Sequence, residues 1–203
     1  MVRELCIKAS AAAQSFFFAD ANKCNEILIE IKKGIEASVA EILRENKKDV
    51  AKATENGKDC AFIDRLTLTE KRVLGMAEGV GAVISLPNVV GETVEEYSVP
   101  SGLNIKKVRA PLGVVGIIYE ARPNVTVDAA VLCIKTSNAV ILRGSKDAVN
   151  TNKFLADLMR NALKKCGCDE NLVCFLEGED REITRELLRQ EGLLDVIIPR
   201  GGE

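Results

Sequence analysis

The chain has 203 residues, of which 47% are apolar and 29% charged, and its formal net charge at pH 7 is −2. This composition is typical of a globular protein with a hydrophobic core and excludes disordered, collagen-like and low-complexity chains. The near balance of charge gives no support for nucleic-acid binding. Histidine is absent from the sequence, which excludes Ser-His-Asp and Cys-His catalytic arrangements and His-ligated zinc within these residues.

The seven cysteines favour free thiols in a reducing cytoplasm, because their number is odd and the N-terminus does not resemble a secretory signal. Cys166, Cys168 and Cys174 lack the CxxC spacing of a metal cluster, so buried thiols are expected and no metal site is predicted. No apolar run approaches the 18 residues of a membrane-spanning helix, so we expect no membrane contact.

Residues 1–92 are predicted to form a helical segment. An apolar stripe with steps of three and four residues predicts one long helix, capped by Asp20 or Asn22 and ending near Asn46. The stripe consists of Leu28, Ile31, Ile35, Val39 and Ile42. A short helix over residues 50–55 and a third one, which begins after Thr67 or Thr69 and ends at Pro87, complete the segment. Core packing is the favoured role of these stripes, ahead of partner binding.

Residues 93–110 predict an exposed β-ribbon. Thr93–Val99 alternates moderately, Pro100-Ser101-Gly102 is typical of a turn, and Asn104–Val108 is the returning strand. Neither strand is apolar enough for the centre of a sheet, so another part of the molecule or a partner subunit is expected to cover the ribbon. We therefore predict a homo-oligomer assembled through it.

From residue 111 onward, strands and helices alternate. Apolar strands are predicted over residues 113–119, 138–142, 172–176 and 194–198, with helices over 125–135, 148–165 and 180–190. Apolar strands joined by crossover helices indicate a parallel sheet covered on both faces, so the predicted fold class is α/β: N-terminal helices and a ribbon followed by a doubly wound, Rossmann-like sheet. The sheet ends without its next helix and is expected to be cut short at residue 203.

Candidate cofactor-binding residues follow these strands, because open α/β sheets bind ligands at the carboxyl ends of their strands. The candidates are Glu120, Arg122, Pro123, Arg143, Gly144, Ser145, Glu177, Arg200, Gly201 and Gly202. Residues 106–146 contain seven positive and two negative side chains, which favours a phosphate-bearing ligand. Lys106 and Lys107 are expected to be solvated surface charges.

The common dinucleotide fingerprint GxGxxG is absent after the first strand, so a dinucleotide would bind in another way. Arg143-Gly144-Ser145 is placed to contact a ribose or its 2′-phosphate, and Arg200-Gly201-Gly202 to contact a pyrophosphate. A surface pairing of Arg143 with Asp147 is the alternative.

The motif PLGVVGIIYEARPNVTVD over residues 111–128 resembles the γ-glutamyl phosphate reductase (glutamate-5-semialdehyde dehydrogenase) branch of the aldehyde dehydrogenase superfamily. Further stretches fit the same branch in the same order: ILREN with Asp49, DRLTL over 64–68, NAVILRG over 138–144 and IIPRGG over 197–202. Ser137 and Ser145 depart from the pattern, since glycine is usual there. The resemblance covers essentially the whole chain.

This resemblance implies NADPH-dependent reduction of L-glutamyl 5-phosphate to the 5-semialdehyde plus phosphate, in proline biosynthesis. It implies that Asn124 helps hold the oxyanion of a thioester, that the nucleophilic cysteine lies in a second domain beyond residue 203, and that the enzyme associates with glutamate 5-kinase. Residues 1–203 would then supply the cofactor-binding half. The alternative is a non-catalytic nucleotide- or phosphate-binding module, since a parallel sheet and basic residues support both.

Overall fold

The computed structural model describes residues 1–178 and 181–201. The helical segment comprises α1 (Val2–Phe16), α2 (Ala21–Ala37), α3 (Val39–Glu55), α4 (Cys60–Leu66) and α5 (Glu70–Ser85). Asp20, Asp59 and Thr69 cap α2, α4 and α5, each accepting a hydrogen bond from a backbone N–H three residues later. Within the described ranges, no helix combines the length and the apolarity that crossing a membrane requires.

The prediction of one long helix over the apolar stripe is wrong, because the stripe spans two helices. Ser38 separates α2 from α3 with φ −112° and ψ 21°, and its N–H donates to the Ile35 carbonyl at 3.2 Å. The stripe nevertheless stays buried on both sides of the break, with Ile35 and Ile42 fully inaccessible to solvent. The apolar periodicity therefore located the buried side of both helices. It did not reveal that one residue, Ser38, interrupts the helix between them.

The predicted helix end at Asn46 is also wrong. Helix α3 continues to Glu55 and absorbs the short helix expected over residues 50–55. The Asn46 side chain is buried in tertiary contacts: its Nδ2 donates to the Leu66 carbonyl (2.9 Å) and its Oδ1 accepts from the Leu68 N–H (2.7 Å). Asn46 thus fixes the connection between α4 and α5 instead of ending a helix.

The ribbon has the predicted form. Strands β1 (Thr93–Ser98) and β2 (Asn104–Val108) pair antiparallel, and every residue in both strands is exposed. Ion pairs join Lys106 to Glu96 (3.1 Å) and Arg109 to Glu92 (3.0 Å) across the ribbon. In this chain by itself, both faces of the ribbon meet solvent.

The parallel sheet confirms the predicted fold class. Strands β3 (Val114–Tyr119), β4 (Ala139–Arg143), β5 (Val173–Phe175) and β6 (Val196–Arg200) run parallel in the order β5-β4-β3-β6. The crossovers carry α6 (Pro123–Lys135), α7 (Val149–Lys165) and α8 (Arg181–Leu188). Helices α6 and α7 pack on one face, while α1 packs on the sheet beside α8. The strand order reverses between β3 and β6, and ligands bind at such switch points in doubly wound sheets.

Strand β6 begins and ends two residues later than predicted. Asp195 lies before the strand, because its carboxylate accepts the Val114 N–H (2.7 Å) and its own N–H donates to the Val114 carbonyl (3.0 Å). Pro199 and Arg200 are consequently strand residues, opposite Ile118 and Tyr119. Proline is tolerated there because, among the described strands, β6 lies at the sheet edge.

A buried carboxylate joins the helical segment to the sheet domain. Asp49 of α3 lies at the N-terminus of α7, where it accepts hydrogen bonds from the N–H groups of Asn150 (3.2 Å) and Thr151 (2.8 Å) and from the Thr151 hydroxyl (2.6 Å). The N-cap residue of α7, Ala148, has no side-chain oxygen to offer. Asp49 therefore caps α7 from a helix 100 residues earlier in the chain.

Helix α6 ends in a left-handed residue that is not glycine. Ser137 has φ +57°, its N–H donates to the Ile134 carbonyl (3.1 Å), and the following N–H donates to the Cys133 carbonyl (2.8 Å). Helices α3 and α7 end with the same two bonds but place Gly57 and Gly167, both at φ +69°, in this position. A side chain in this conformation is strained relative to glycine.

We expect Ser137→Gly to raise the free energy of unfolding by about 0.5–1 kcal/mol, because relief of strain outweighs the greater freedom of glycine in the unfolded chain. The reciprocal change Gly167→Ser is the matched control and should lower that free energy, although the added Cβ meets no atom within 4 Å. Urea denaturation of both variants measures the two effects. Shifts of the same sign would contradict the account.

Candidate functional site

The connection from β3 to α6 presents three predicted site residues at the carboxyl edge of the sheet. Pro123 is the first helical residue, and Arg122 before it is extended, with φ −128° and ψ 92°. A proline fixes its own φ and disfavours helical conformation in the residue before it, so the chain turns sharply from strand to helix here. Glu120 and Arg122 are exposed, and Pro123 is buried.

A cleft of about 570 Å³ opens between the α4–α5 corner and the N-terminus of α6. We call it the arginine cleft, after the three arginines Arg65, Arg72 and Arg122 that line it. The Arg72 guanidinium is held in place, since it donates to the Thr67 carbonyl (2.7 Å) and pairs with the Asp64 carboxylate (3.0 Å). Arg65 and Arg122 form neither an ion pair nor a side-chain hydrogen bond within the described part of the chain.

Asn124, the predicted oxyanion donor, also lines the arginine cleft. Its Nδ2 donates one hydrogen bond to Oδ2 of Asp128 (3.0 Å), one helical turn further on. Burial of the Asp128 carboxyl group raises its pKa, while the hydrogen bond from Asn124 and the positive charge of Arg200 act in the opposite direction. An amide has two N–H donors, so Asn124 keeps one for a ligand.

A second cleft, of about 340 Å³, lies at the end of β4 and is called here the β4 cleft. It is lined by Arg143, Gly144, Ser145 and Lys146, with Thr184 from α8. Arg143 is the last residue of β4 and is buried, so the proposed surface pairing with Asp147 is wrong. Its Nη1 donates to the Gly144 carbonyl (2.9 Å), and burial lowers its pKa from the ordinary arginine value.

The turn at Gly144 is fixed by a chain of buried hydrogen bonds. The Tyr119 hydroxyl bonds to the Thr126 hydroxyl (2.8 Å), which in turn donates to Oδ1 of Asn152 (2.9 Å). A Cβ on Gly144 would lie 2.3 Å from Nδ2 of Asn152 and 3.0 Å from the Tyr119 ring. Glycine is therefore required, and burial raises the pKa of Tyr119, which keeps its hydroxyl protonated.

Ser145 follows with an ordinary backbone conformation, φ −62° and ψ 145°. Its hydroxyl donates to the Asp147 carboxylate (3.0 Å) and accepts the Asp147 N–H (3.2 Å), which caps the short turn leading into α7. Of the two serines that stand where glycine is usual, Ser137 therefore adopts a left-handed backbone conformation and Ser145 does not.

A smaller cleft of about 230 Å³, lined by Phe62, Arg65, Glu120, Ala121 and Ser145, lies between the other two. It shares Arg65 with the arginine cleft and Ser145 with the β4 cleft. The three clefts therefore follow one another along the carboxyl edge of the sheet, past the ends of β3 and β4. An elongated ligand suits this arrangement better than a compact one.

The remaining predicted residues have different surroundings. Arg200 is the exposed last residue of β6, and Gly201 packs against Glu120, whose Cγ would lie 3.0 Å from an added Cβ. Glu177 is exposed after β5 and forms an ion pair with Lys153 of α7; it does not line the clefts described above. Gly202 lies outside the described residues.

None of the seven cysteines lines the clefts described above, and none of them forms a disulfide in the described part of the chain. Cys6, Cys24, Cys133, Cys166 and Cys174 are buried, Cys168 is half-buried, and all seven are free thiols. Burial raises the pKa of all six, to about 12 for Cys133 and Cys174. Cys60 is exposed at the start of α4. Over residues 1–178 and 181–201, no group of three or more acidic or thiol side chains is arranged to hold a metal ion.

Sequence reasoning did not assign Arg65 or Lys146 to the site. Arg65 belongs to the DRLTL stretch that carried part of the resemblance, and that match was the available signal. Lys146 was counted among the positive side chains of residues 106–146, but no role was assigned to it. Another member of that region, Lys135, is structural: its buried ammonium donates to Oδ1 of Asn25 (2.8 Å) and to the Ile84 carbonyl (3.0 Å).

Comparison with known proteins agrees with this architecture. The model of the aldehyde dehydrogenase family matches residues 3–198. A γ-glutamyl phosphate reductase from Clostridium perfringens is 47% identical over 100% of this chain and 49% of its own length. One from Carboxydothermus hydrogenoformans is 49% identical over 99% of this chain and 48% of its own length.

Solved structures show the same likeness. The crystal structure of γ-glutamyl phosphate reductase from Thermotoga maritima superposes with a TM-score of 0.96 at 38% identity, over 99% of this chain and 49% of that one. The enzyme of the same name from Saccharomyces cerevisiae superposes with a TM-score of 0.90 at 29% identity, over 98% of this chain and 51% of that one. The chain spans about half the length of these relatives, and it belongs to the aldehyde dehydrogenase family.

Proposed function

We propose that this chain is the cofactor-binding half of an enzyme that reduces L-glutamyl 5-phosphate to L-glutamate 5-semialdehyde and phosphate, a step of proline biosynthesis. The observation that carries the proposal is the match to γ-glutamyl phosphate reductases at 47–49% identity over nearly the whole chain, together with the TM-score of 0.96. The resemblance assigns the thiolate that displaces phosphate to residues outside these 203.

The fold implies a nicotinamide cofactor, and the residues of the β4 cleft fit the 2′-phosphate of NADPH. Lys146 is exposed and has no ion pair within the described ranges, and the Ser145 hydroxyl lies beside it. Among the described residues that line this cleft, the one carboxylate is Asp147, which already bonds to Ser145 and pairs with Lys58 (3.5 Å). When bound, the cofactor supplies the hydride, and Arg143 and Lys146 supply positive charge at the adenosine end.

Variants of these two cations test the cofactor assignment. A charge-assisted contact is worth about 1.5–3 kcal/mol, or roughly one to two decades in affinity. We expect Lys146→Ala and Arg143→Ala to weaken NADPH by that factor and to leave NADH nearly unchanged, as measured by fluorescence titration. Lys107→Ala, on the exposed ribbon, is the control. Equal weakening of both cofactors would remove the 2′-phosphate role.

At the other end of the row of three clefts, Arg122 and Asn124 are proposed to act on the acyl phosphate. The free N–H of Asn124 is proposed to donate to the carbonyl oxygen as negative charge develops there. Arg122 is proposed to contact the transferred phosphate, since a guanidinium binds two phosphate oxygens at once. Both side chains lie at the N-terminus of α6, where the helix dipole also favours negative charge.

The ribbon supports the proposal that the protein forms a homo-oligomer, while its location in the cytoplasm stays a prediction. Val94, Ile105 and Val108 are large apolar residues that the ribbon exposes to solvent in a single chain, which favours burial against a second subunit. Deleting residues 95–108 should therefore yield monomers or aggregates, and an unchanged sedimentation coefficient would contradict the assembly. Association with glutamate 5-kinase stays a prediction.

A further inference from the structure

The buried hydrogen bonds beside the β4 cleft join three elements of the sheet domain. Tyr119 ends β3, Thr126 lies in the first turn of α6, and Asn152 lies in the first turn of α7. The Thr126 hydroxyl uses its single proton to donate to Oδ1 of Asn152 (2.9 Å), so it accepts from the Tyr119 hydroxyl (2.8 Å). Thr126 and Asn152 are fully inaccessible to solvent. We call these three side chains the polar chain.

The polar chain ends in a donor that has no acceptor. Nδ2 of Asn152 is buried and forms no hydrogen bond with the residues that the structure describes. Buried polar groups are nearly always paired, because a buried donor without a partner is costly, so this exception calls for an explanation. An apolar side chain would fill the position without that cost. Departures of this kind are expected mainly where a function requires a particular geometry.

Both ends of the polar chain contact the same backbone position. A Cβ on Gly144 would lie 2.3 Å from Nδ2 of Asn152 and 3.0 Å from Cζ of Tyr119. Gly144 lies between the end of β4 and the short turn that begins at Lys146. The two contacts therefore determine the direction in which the backbone leaves β4, and with it the position of the exposed Lys146 side chain in the β4 cleft.

We infer that Tyr119, Thr126 and Asn152 are positioning residues that determine how well the β4 cleft discriminates NADPH from NADH. They act through Gly144 on Lys146, and neither Thr126 nor Asn152 lines the cleft. The inference rests on the proposed function, which places the 2′-phosphate of NADPH beside Lys146. It adds that selectivity for this phosphate depends on buried groups that do not contact it.

Thr126→Val tests the inference, because it keeps the shape of the side chain and removes the hydroxyl that joins the other two groups. NADPH should bind about tenfold more weakly, as for loss of one charge-assisted contact, and NADH should change by less than about twofold. Thr126→Ser retains the hydroxyl and should restore NADPH binding. Thr136→Val is the matched control, since it removes a hydroxyl at the other end of α6, where that group donates to the Leu132 carbonyl (2.9 Å). Fluorescence titration of the 203-residue chain measures these affinities.

A double-mutant cycle separates positioning from a general loss of stability. If Thr126 acts by placing Lys146, Thr126→Val should weaken NADPH little further in a chain that already carries Lys146→Ala, whereas independent effects would multiply. Tyr119→Phe is the milder variant should Thr126→Val fail to fold, because it removes one hydroxyl and keeps the ring against Gly144. It should also weaken NADPH more than NADH.

Equal weakening of NADPH and NADH by Thr126→Val and Tyr119→Phe would overturn the inference, as would a change in the free energy of unfolding alone or multiplied effects in the cycle. A selective effect of Lys146→Ala without one of Thr126→Val would overturn the inference and leave the proposed cofactor site intact. Absence of NADPH binding by the unaltered chain would overturn the proposed cofactor site and the inference together.

Discussion

A polypeptide of residues 1–203 is expected to show no phosphate-dependent oxidation of L-glutamate 5-semialdehyde with NADP. Acyl transfer of this kind needs a thiolate nucleophile, and removing a nucleophile costs on the order of 10⁶ in rate. Burial raises the pKa of six of the seven cysteines and so opposes thiolate formation. NADPH binding should nevertheless persist, since the contacts proposed for it lie within these residues.

Cys60 is the residue on which the predicted lack of activity can be tested most directly. It is the exposed cysteine of the chain, on the helix that also carries Arg65 of the arginine cleft. Production of NADPH by the isolated polypeptide, abolished by Cys60→Ser, would show that the chain contains its own nucleophile. The proposal that residues 1–203 supply only the cofactor-binding half of the enzyme would then be wrong.

Asp49→Ala is expected to lower the free energy of unfolding by roughly 3–4 kcal/mol. The substitution removes the acceptor for two backbone N–H groups and a hydroxyl at the buried N-terminus of α7. Each buried donor left without a partner costs about 1–3 kcal/mol, and loss of the favourable charge–dipole interaction adds to this. Urea denaturation measures the change.

Asp20→Ala is the matched control for Asp49→Ala, because Asp20 caps α2 at an exposed position with a single backbone bond of 2.7 Å. We expect a loss of about 1 kcal/mol there. If the two substitutions had equal effects, Asp49 would be an ordinary surface cap and would not join the helical segment to the sheet domain.

The sheet could be predicted from sequence because its strands are short apolar runs bounded by polar turns. Ala139–Leu142 is an apolar run that is buried throughout, and its length is that of a strand and too short for an ordinary buried helix. Helix caps such as Thr69 were likewise visible, since their side chains act within three residues of the helix start. Features that depend on residues close together in the sequence could therefore be predicted from it.

Features that depend on contacts between residues far apart in the sequence could not be predicted from it. Asn46 resembles a helix terminator in sequence, yet its amide serves a loop 20 residues away. Arg65 has no local signal that distinguishes it from any exposed helical arginine; only the fold brings α4 beside the N-terminus of α6. Lys135 adds positive charge to its region of sequence while its ammonium is buried among neutral oxygens.

The central claim is that this chain supplies a working cofactor-binding half. Its most direct test is a fusion of residues 1–203 to the C-terminal half of the Carboxydothermus hydrogenoformans relative, which is 49% identical to this chain in the half that it replaces. The account predicts NADPH production from L-glutamate 5-semialdehyde, NADP and phosphate by the fusion and by neither half alone. A folded fusion that binds NADPH but produces none from the semialdehyde would contradict it and favour a non-catalytic nucleotide-binding module.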